Sequence, residues 1–308
     1  MGVDHLPVLV QEVVDGLGTK PGRRYIDATV GGGGHAYEVL ATSSPDGLLL
    51  GLDRDPAALA VSRARLAGFG ERFELVHSSF ARLAEVAAAH DFVPVDGILL
   101  DLGLSSLQLA DASRGFSFQI EGPLDMRFDR TSSDLTAADL VNGLTAEELA
   151  DVLFRYGEER RSRRIARAIV EARPLHSTRE LAEVIEQTVG RRGERLHSAT
   201  LTFQALRIAV NEELTALEKA LPQAVDLLRP GGRLVVIAFH SLEDRIVKRF
   251  MRRESRHCIC PPGLPVCVCQ HEATLNTLTR TPIRPSAEEV GANPRSRSAR
   301  LRIAERKA

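Results

Sequence analysis

The chain has 308 residues, 44% of them hydrophobic and 26% charged, with 40 basic and 41 acidic side chains and a formal net charge of −1. These proportions are ordinary for a globular protein, and the length suggests about two domains. A near-neutral balance means that any nucleic-acid surface must be local, and the four cysteines, confined to one short stretch, exclude a chain-wide disulfide framework.

Neither a signal peptide nor a transmembrane run is read, so the expected compartment is the cytoplasm, with no membrane partner. Residues 8–18 place Val10, Val13, Val14 and Leu17 at helical spacing and stop at Gly18. Residues 24–27 read as a short first strand. It runs through Asp27 into Gly31-Gly32-Gly33-Gly34-His35, and Ala36 to Leu40 reads as a helix start. Four glycines at a strand-to-helix junction require close approach of the backbone to a neighbour, and a nucleotide-like ligand is the usual one.

Two ligands compete for this loop. Gly31, Gly33 and Ala36 fit the G-x-G-x-x-A dinucleotide fingerprint, and Asp53 lies about 20 residues further on, where a ribose-binding acid belongs. Asp27 instead suits a ligand with a free ammonium group and no pyrophosphate, which describes S-adenosylmethionine. A ligand-free turn is the third reading, although each glycine costs roughly 0.5–1 kcal/mol of backbone entropy.

Leu48 to Asp53 is an apolar run ending in an acid, as in a buried parallel strand, and Pro56 suits the first turn of the next helix. Residues 73–77 and 95–102 supply a third and a fourth strand. The alternation predicts an α/β fold with a doubly wound, mostly parallel sheet. No strand is read from about 111 to 200. Helices are predicted there at 145–155, 159–171 and 178–189, with Gly157, Pro174 and Gly190 between them. Strand character returns at 232–239 and again at 298–304, while the Pro/Arg/Ser-rich stretch 281–298 is expected to be a loop draped over the sheet. The predicted organisation is an α/β domain, 1–110 with 201–308, carrying an inserted helical domain, 111–200.

Asp27, Asp53 and Asp101 each end a strand, and ligands of open α/β sheets lie outside those ends. Gly33, Gly34 and His35 are expected to approach the methionine part of the donor with backbone atoms. Asp53 is expected to take both ribose hydroxyls, and Asp101 to stand beside the sulfonium or the acceptor. Phe80 is a candidate to flank adenine, with plain core packing the alternative. An exocyclic base amine is a poor nucleophile, and acceptors that hold its N–H groups out of plane localise its lone pair. Asp101 and Ser105 are candidates for that task. The Pro-Pro-aromatic motif of many amino-methylating enzymes is absent here.

Cys258-x-Cys260 and Cys267-x-Cys269 match a zinc site in count, but the spacing is C-x-C, not the usual C-x-x-C. Free thiols are the expectation, and no metal is assigned.

These stretches, with Gly122-Pro123-Leu124-Asp125-Met126-Arg127, Tyr156-Gly157-Glu158-Glu159-Arg160 and Phe239-His240-Ser241-Leu242-Glu243-Asp244-Arg245, together resemble the RsmH/MraW family of bacterial 16S ribosomal-RNA cytosine-N4 methyltransferases. The resemblance covers nearly the whole chain. It implies a class I S-adenosylmethionine methyltransferase sheet with an inserted helical domain. It also implies N4-methylation of a decoding-site cytidine in 16S rRNA, within the small subunit or a late assembly intermediate. The family's cofactor-binding positions fall on Gly33, Gly34, His35, Asp53, Phe80, Asp101 and Gln108. The oligomeric state stays open, a homodimer included.

Three basic runs favour RNA over solvated, ion-paired helix faces: Arg160, Arg163, Arg164 and Arg167; Arg191, Arg192 and Arg195; and Arg245, Lys248, Arg249, Arg252, Arg253 and Arg256. The inserted domain is therefore expected to recognise RNA. Phe116, Phe118, Phe239 and His240 are candidates to stack on an unstacked cytosine. His240 is a candidate proton relay or, equally, a structural histidine. The competing functions are an NAD(P)-dependent oxidoreductase and a non-catalytic RNA-binding factor, and three intact facing acids argue against the latter.

Overall fold

The computed structural model describes residues 7–131, 135–190, 197–261 and 266–308. Helix α1 (Val10–Leu17) buries Val13, Val14 and Leu17 and ends at Gly18 in the left-handed region. Strand β1 (Arg24–Asp27), α2 (Gly34–Thr42), β2 (Leu48–Asp53), α3 (Pro56–Leu66), β3 (Phe73–His77), α4 (Leu83–Ala89) and β4 (Val95–Asp101) then alternate. Among the described residues, six α-helices follow without a strand: α5 (Ser106–Ala110), α6 (Ala137–Gly143), α7 (Ala146–Gly157), α8 (Ser162–Glu171), α9 (Thr178–Val189) and α10 (Thr200–Asn211). Helix α11 (Glu213–Leu227), β5 (Leu228–Ala238), α12 (Ser241–Glu254), β6 (Leu275–Thr277), α13 (Ala287–Ala292) and β7 (Arg300–Arg306) complete the chain.

The sheet order is β3-β2-β1-β4-β5-β7-β6. Strands β1 to β5 pair in parallel, and β7 runs antiparallel to both β5 and β6. Both faces are covered, so the strand residues are apolar on both faces. Ile26, Leu50, Ile98, Leu100 and Val236 face one core with α4, α11 and α12. Their neighbours Tyr25, Leu49, Leu99, Val235 and Ile237 face the other with α1, α2 and α3. That period-two division is what places Asp27, Asp53 and Asp101 together at the carboxyl ends of adjacent strands.

The chain divides into two compact units, one formed by residues up to Gly103 together with Leu214–Ala308, the other by Leu104–Glu213. The divisions fall at 103/104 and 213/214 rather than at 110/111 and 200/201, because packing decides them. Helix α10 contributes Phe203, Leu206 and Val210 to the core of the helical unit, and Leu109 of α5 packs on that core. Asn211 ties α10 there as well, donating to the Met126 carbonyl at 2.7 Å and accepting from the Phe128 amide at 2.7 Å.

Reciprocal caps start α5, α6, α7, α9 and α12, where Ser105, Thr136, Thr145, Ser177 and His240 pair with Gln108, Asp139, Glu148, Glu180 and Glu243. Two expectations change. The stretch 281–298 is not a plain loop: Ser286 caps α13, and Pro294–Ser298 forms a 3₁₀ turn. A helix of six residues is too short to show a period. The helix predicted at 159–171 starts only at Ser162 and leaves Arg160 outside it, because Glu158 takes a left-handed conformation and Glu159, fully buried, accepts from the Arg161 amide. Among the described residues, no helix is long and apolar enough to cross a membrane.

Candidate active site

The loop after β1 is pinned from both sides. The Ala28 amide donates to the Leu99 carbonyl and the Val30 amide to the Leu52 carbonyl, at 2.9 and 2.8 Å. The Gly31 amide donates to Asp53 Oδ2 at 2.8 Å, and Ser62 Oγ of α3 donates to the Gly31 carbonyl at 2.6 Å. Gly33 caps α2 with φ of 77°. A Cβ there would lie 3.0 Å from Ser62 Oγ and 3.2 Å from Ser62 Cα. The close approach that this glycine demands is therefore to α3. Beyond it, Gly34, His35 and Ala36 open α2, whose first amides have no helical acceptor and present positive potential to an anionic group.

Asp53 is held by backbone donors, Asp55 N to Oδ1 and Gly31 N to Oδ2, both at 2.8 Å, with the Arg54 amide a third. A carboxylate has about four acceptor sites, so these donors leave acceptor capacity for a sugar hydroxyl. Asp27 is buried and accepts from the Thr29 amide at 3.1 Å. The Asp101 amide donates to Thr29 Oγ1 at 2.7 Å. Its Oδ1 is buried without a hydrogen-bond partner, while its Oδ2 lies 3.5 Å from His35 Nδ1.

The electrostatics of this rim follow from desolvation that its neighbours only partly offset. Burial pushes the Asp27 carboxyl up to about 7, although His35 and the Thr29 amide pull the other way. Burial raises Asp53 to about 6 against its backbone donors. Asp101 rises to about 7 through burial and then the nearby Glu243 carboxylate. Burial likewise lowers His35, so its ring is neutral near pH 7. Because His35 Nε2 faces the Val8 carbonyl at 2.8 Å and must donate to it, the ring lone pair is on Nδ1, toward Asp101. Among the described residues, no lysine or arginine pairs with Asp27, Asp53 or Asp101. Three acids without a cation form a site that a positively charged ligand would relieve.

Three groups frame this rim. Phe80 follows β3 in a short 3₁₀ turn capped by Ser79 and is half-buried against the core. The Phe239 ring packs beside Gly103, with Cδ2 3.5 Å from where a Cβ of that glycine would be. His240 caps α12: its Nδ1 accepts from the Glu243 amide at 3.3 Å, and its Nε2 lies 3.1 Å from Glu243 Oε1. Glu243, 2% exposed, accepts from the Phe239 and His240 amides at 2.8 and 3.2 Å. Sequence reasoning missed Glu243 as a site residue, yet its signal was present: a histidine followed three residues later by glutamate ahead of an apolar-periodic helix.

Gly33, Gly34, His35, Asp53 and Asp101 are thus brought together, with Phe80 at the end of the neighbouring strand. Ser105 and Gln108 belong to the helical unit, where Ser105 Oγ accepts from the Gln108 amide at 3.2 Å and Gln108 Oε1 from the Ser105 amide at 3.0 Å. Two stacking candidates are taken up by the fold. Phe116 is buried beside Phe128, and Phe118 stacks on His197 at 4.5 Å with its edge toward Phe203.

In the helical unit, a cavity of about 510 Å³ is lined by Ala150, Asp151, Phe154, Arg160, Arg161, Ser162, Arg163, Arg164 and Arg167. Arg160, Arg163, Arg164 and Arg167 are exposed and pair with no carboxylate among the described residues. On α12, Lys248, Arg249 and Arg252 are exposed. The run Arg191, Arg192 and Arg195 lies outside the described residues.

Comparison with known proteins gives the family. The model of the MraW methylase family matches residues 2–307. A protein of Thermomicrobium roseum named ribosomal RNA small subunit methyltransferase H is 57% identical over 309 residues, covering 99% of this chain and 94% of that one. Proteins of the same name from Dehalococcoides mccartyi and Syntrophotalea carbinolica are 54% and 53% identical, covering 98% of this chain and 86% and 98% of theirs. With a family match along nearly its full length and relatives more than half identical, the chain belongs to the MraW methylase family.

Proposed function

We propose that this protein is an S-adenosylmethionine-dependent methyltransferase that methylates the exocyclic N4 amine of a decoding-site cytidine in 16S rRNA. Its expected substrate is the small subunit or a late assembly intermediate, in the cytoplasm. The observation that carries the reading is a rim of three carboxyls, buried Asp27 with half-buried Asp53 and Asp101, with no paired cation among the described residues, beside the N-terminus of α2. A dinucleotide would bring a pyrophosphate to those acids, which disfavours the oxidoreductase reading. The relatives' printed names support ribosomal RNA as the substrate class.

When bound, S-adenosylmethionine supplies an electrophilic methyl group on a sulfonium. Gly33, Gly34 and His35 offer backbone atoms at the start of α2 to its carboxylate, and Asp27 attracts its ammonium group. Asp53 receives the ribose hydroxyls on its remaining lone pairs, and Phe80 flanks the adenine. Asp101 Oδ1 accepts an N–H of the cytidine amine and holds its lone pair out of conjugation. Asp101, whose pKa near 7 suits a base at neutral pH, would take the proton that the amine gives up when it gains the methyl group and the donor's methyl–sulfur bond breaks to leave S-adenosylhomocysteine. His35 Nδ1, 3.5 Å from Oδ2, is the next acceptor. His240 acts through Glu243 as a positioning residue, and Ser105 shapes the turn that opens α5. The arginines of α8 and the cations of α12 supply phosphate contacts.

The test compares rRNA from cells with and without the gene. Modified-nucleoside mapping should find one cytidine in 16S rRNA that loses its N4 methyl group. An unchanged nucleoside profile would end the reading. Calorimetry should find that the protein binds S-adenosylhomocysteine and not NAD.

A further inference from the structure

Between α12 and β6 runs a segment of 20 residues, Ser255–Thr274, that forms neither helix nor strand among its described residues and buries none of them. A stretch with no apolar core needs another source of order. Its four cysteines supply a geometry that suits one. The Sγ atoms of Cys258, Cys260, Cys267 and Cys269 all lie within 4.8 Å of one another. Three of the separations are 3.5 Å (Cys267–Cys269), 3.9 Å (Cys258–Cys269) and 4.0 Å (Cys260–Cys267). Four thiolates around zinc, each at about 2.3 Å, have S···S edges of about 3.8 Å. A disulfide would require about 2.05 Å.

The backbone around the sulfurs is arranged reciprocally. The amide of Ile259, between the first two cysteines, donates to Cys269 Sγ at 3.4 Å. The amide of Val268, between the last two, donates to Cys260 Sγ at 3.4 Å. Each C-x-C pair thus presents an amide to a sulfur of the other. Such donors stabilise negative charge on sulfur, as they do around metal thiolates. The reciprocal bonds also explain why C-x-C spacing works here: the two pairs come from two segments that clasp one another, so neither has to wrap the ion alone.

We propose that Cys258, Cys260, Cys267 and Cys269 bind one structural zinc ion. As Zn²⁺ binds, the four thiols release four protons to solvent, giving a closed four-sulfur site of net charge −2 with no position left for water or substrate. The ion orders the segment that follows the basic helix α12. No redox change is involved, and the site is separate from the carboxyl rim.

The test uses the full chain, prepared without a metal-binding tag and under reducing conditions. Elemental analysis should find about one zinc per chain, and Cys260→Ser/Cys267→Ser less than about a tenth of that. Cobalt(II) added to the stripped wild-type protein should give the visible bands of a tetrahedral thiolate site. Chelation should open the 255–274 segment to trypsin at least about tenfold faster. Unchanged S-adenosylhomocysteine affinity in the double variant shows that the sheet is intact. Iron in place of zinc, disulfides by intact mass, or no uptake of zinc or cobalt by reduced protein would each overturn the proposal.

Discussion

His35 Nδ1 stands 3.5 Å from Asp101 Oδ2, while the opposite ring nitrogen is committed to the Val8 carbonyl at 2.8 Å. A neutral imidazole therefore offers its only lone pair to a carboxyl that burial has made reluctant to ionise. Removing that carboxylate while keeping its shape should separate binding from chemistry. Asp101→Asn is expected to lower kcat by at least about a hundredfold and to change the dissociation constant of S-adenosylhomocysteine by less than about tenfold. Single-turnover methylation of small subunits measures the first, and calorimetry the second.

Donor binding should depend on pH. Asp27 and Asp101 stand near 7 in the ligand-free protein, and a cationic donor prefers both ionised. Affinity for S-adenosylmethionine should then rise between pH 6 and pH 8, by about tenfold for each group, with protons released on binding. Calorimetry in buffers of different ionisation enthalpy counts those protons. A flat profile would show that the acids do not face the positive charge.

Stability of the ligand-free protein should run the other way. A carboxyl whose pKa is higher folded than unfolded binds its proton more tightly in the folded state. Its contribution is fully present below the unfolded value of 3.8 and is lost as pH rises through about 7. Asp27→Asn, which keeps the acceptor for the Thr29 amide, should therefore stabilise the protein at pH 8 by roughly 1–4 kcal/mol and change little at pH 4. Urea unfolding at the two pH values measures the difference.

His240 can be tested with two substitutions. As the N-cap of α12 it can be replaced by asparagine, a good capping residue, whereas alanine removes the cap. His240→Ala should lose about 0.5–2 kcal/mol of stability. His240→Asn should keep stability and hold turnover within about threefold of wild type. A large loss of kcat in the stable asparagine variant would make His240 a proton carrier after all.

Reversing charge at Arg163, Arg164 and Arg167 should weaken binding to the small subunit and reduce its salt dependence. Each lost phosphate contact removes about 0.7–0.9 from the slope of log K against log salt. Affinity for S-adenosylhomocysteine should not change. Filter binding across a salt series provides the measurement.

Much of the fold could be read from local pattern. The glycine loop, the acids ending β1, β2 and β4, and α9 at Thr178–Val189 each announced themselves through spacing, propensity or a cap. These are properties of neighbours in the chain, and the chain alone determines them. Only the tertiary structure decided that Gly33 presses on Ser62, that Phe116 and Phe118 serve the core of the helical unit, and that α10 belongs to that unit. It also decided the state of the rim. Burial raises Asp27 and Asp101 and lowers His35, and burial is conferred by elements far away in sequence. A residue's type and position are written locally, but its solvation and its charged neighbours exist only once the chain has closed around it.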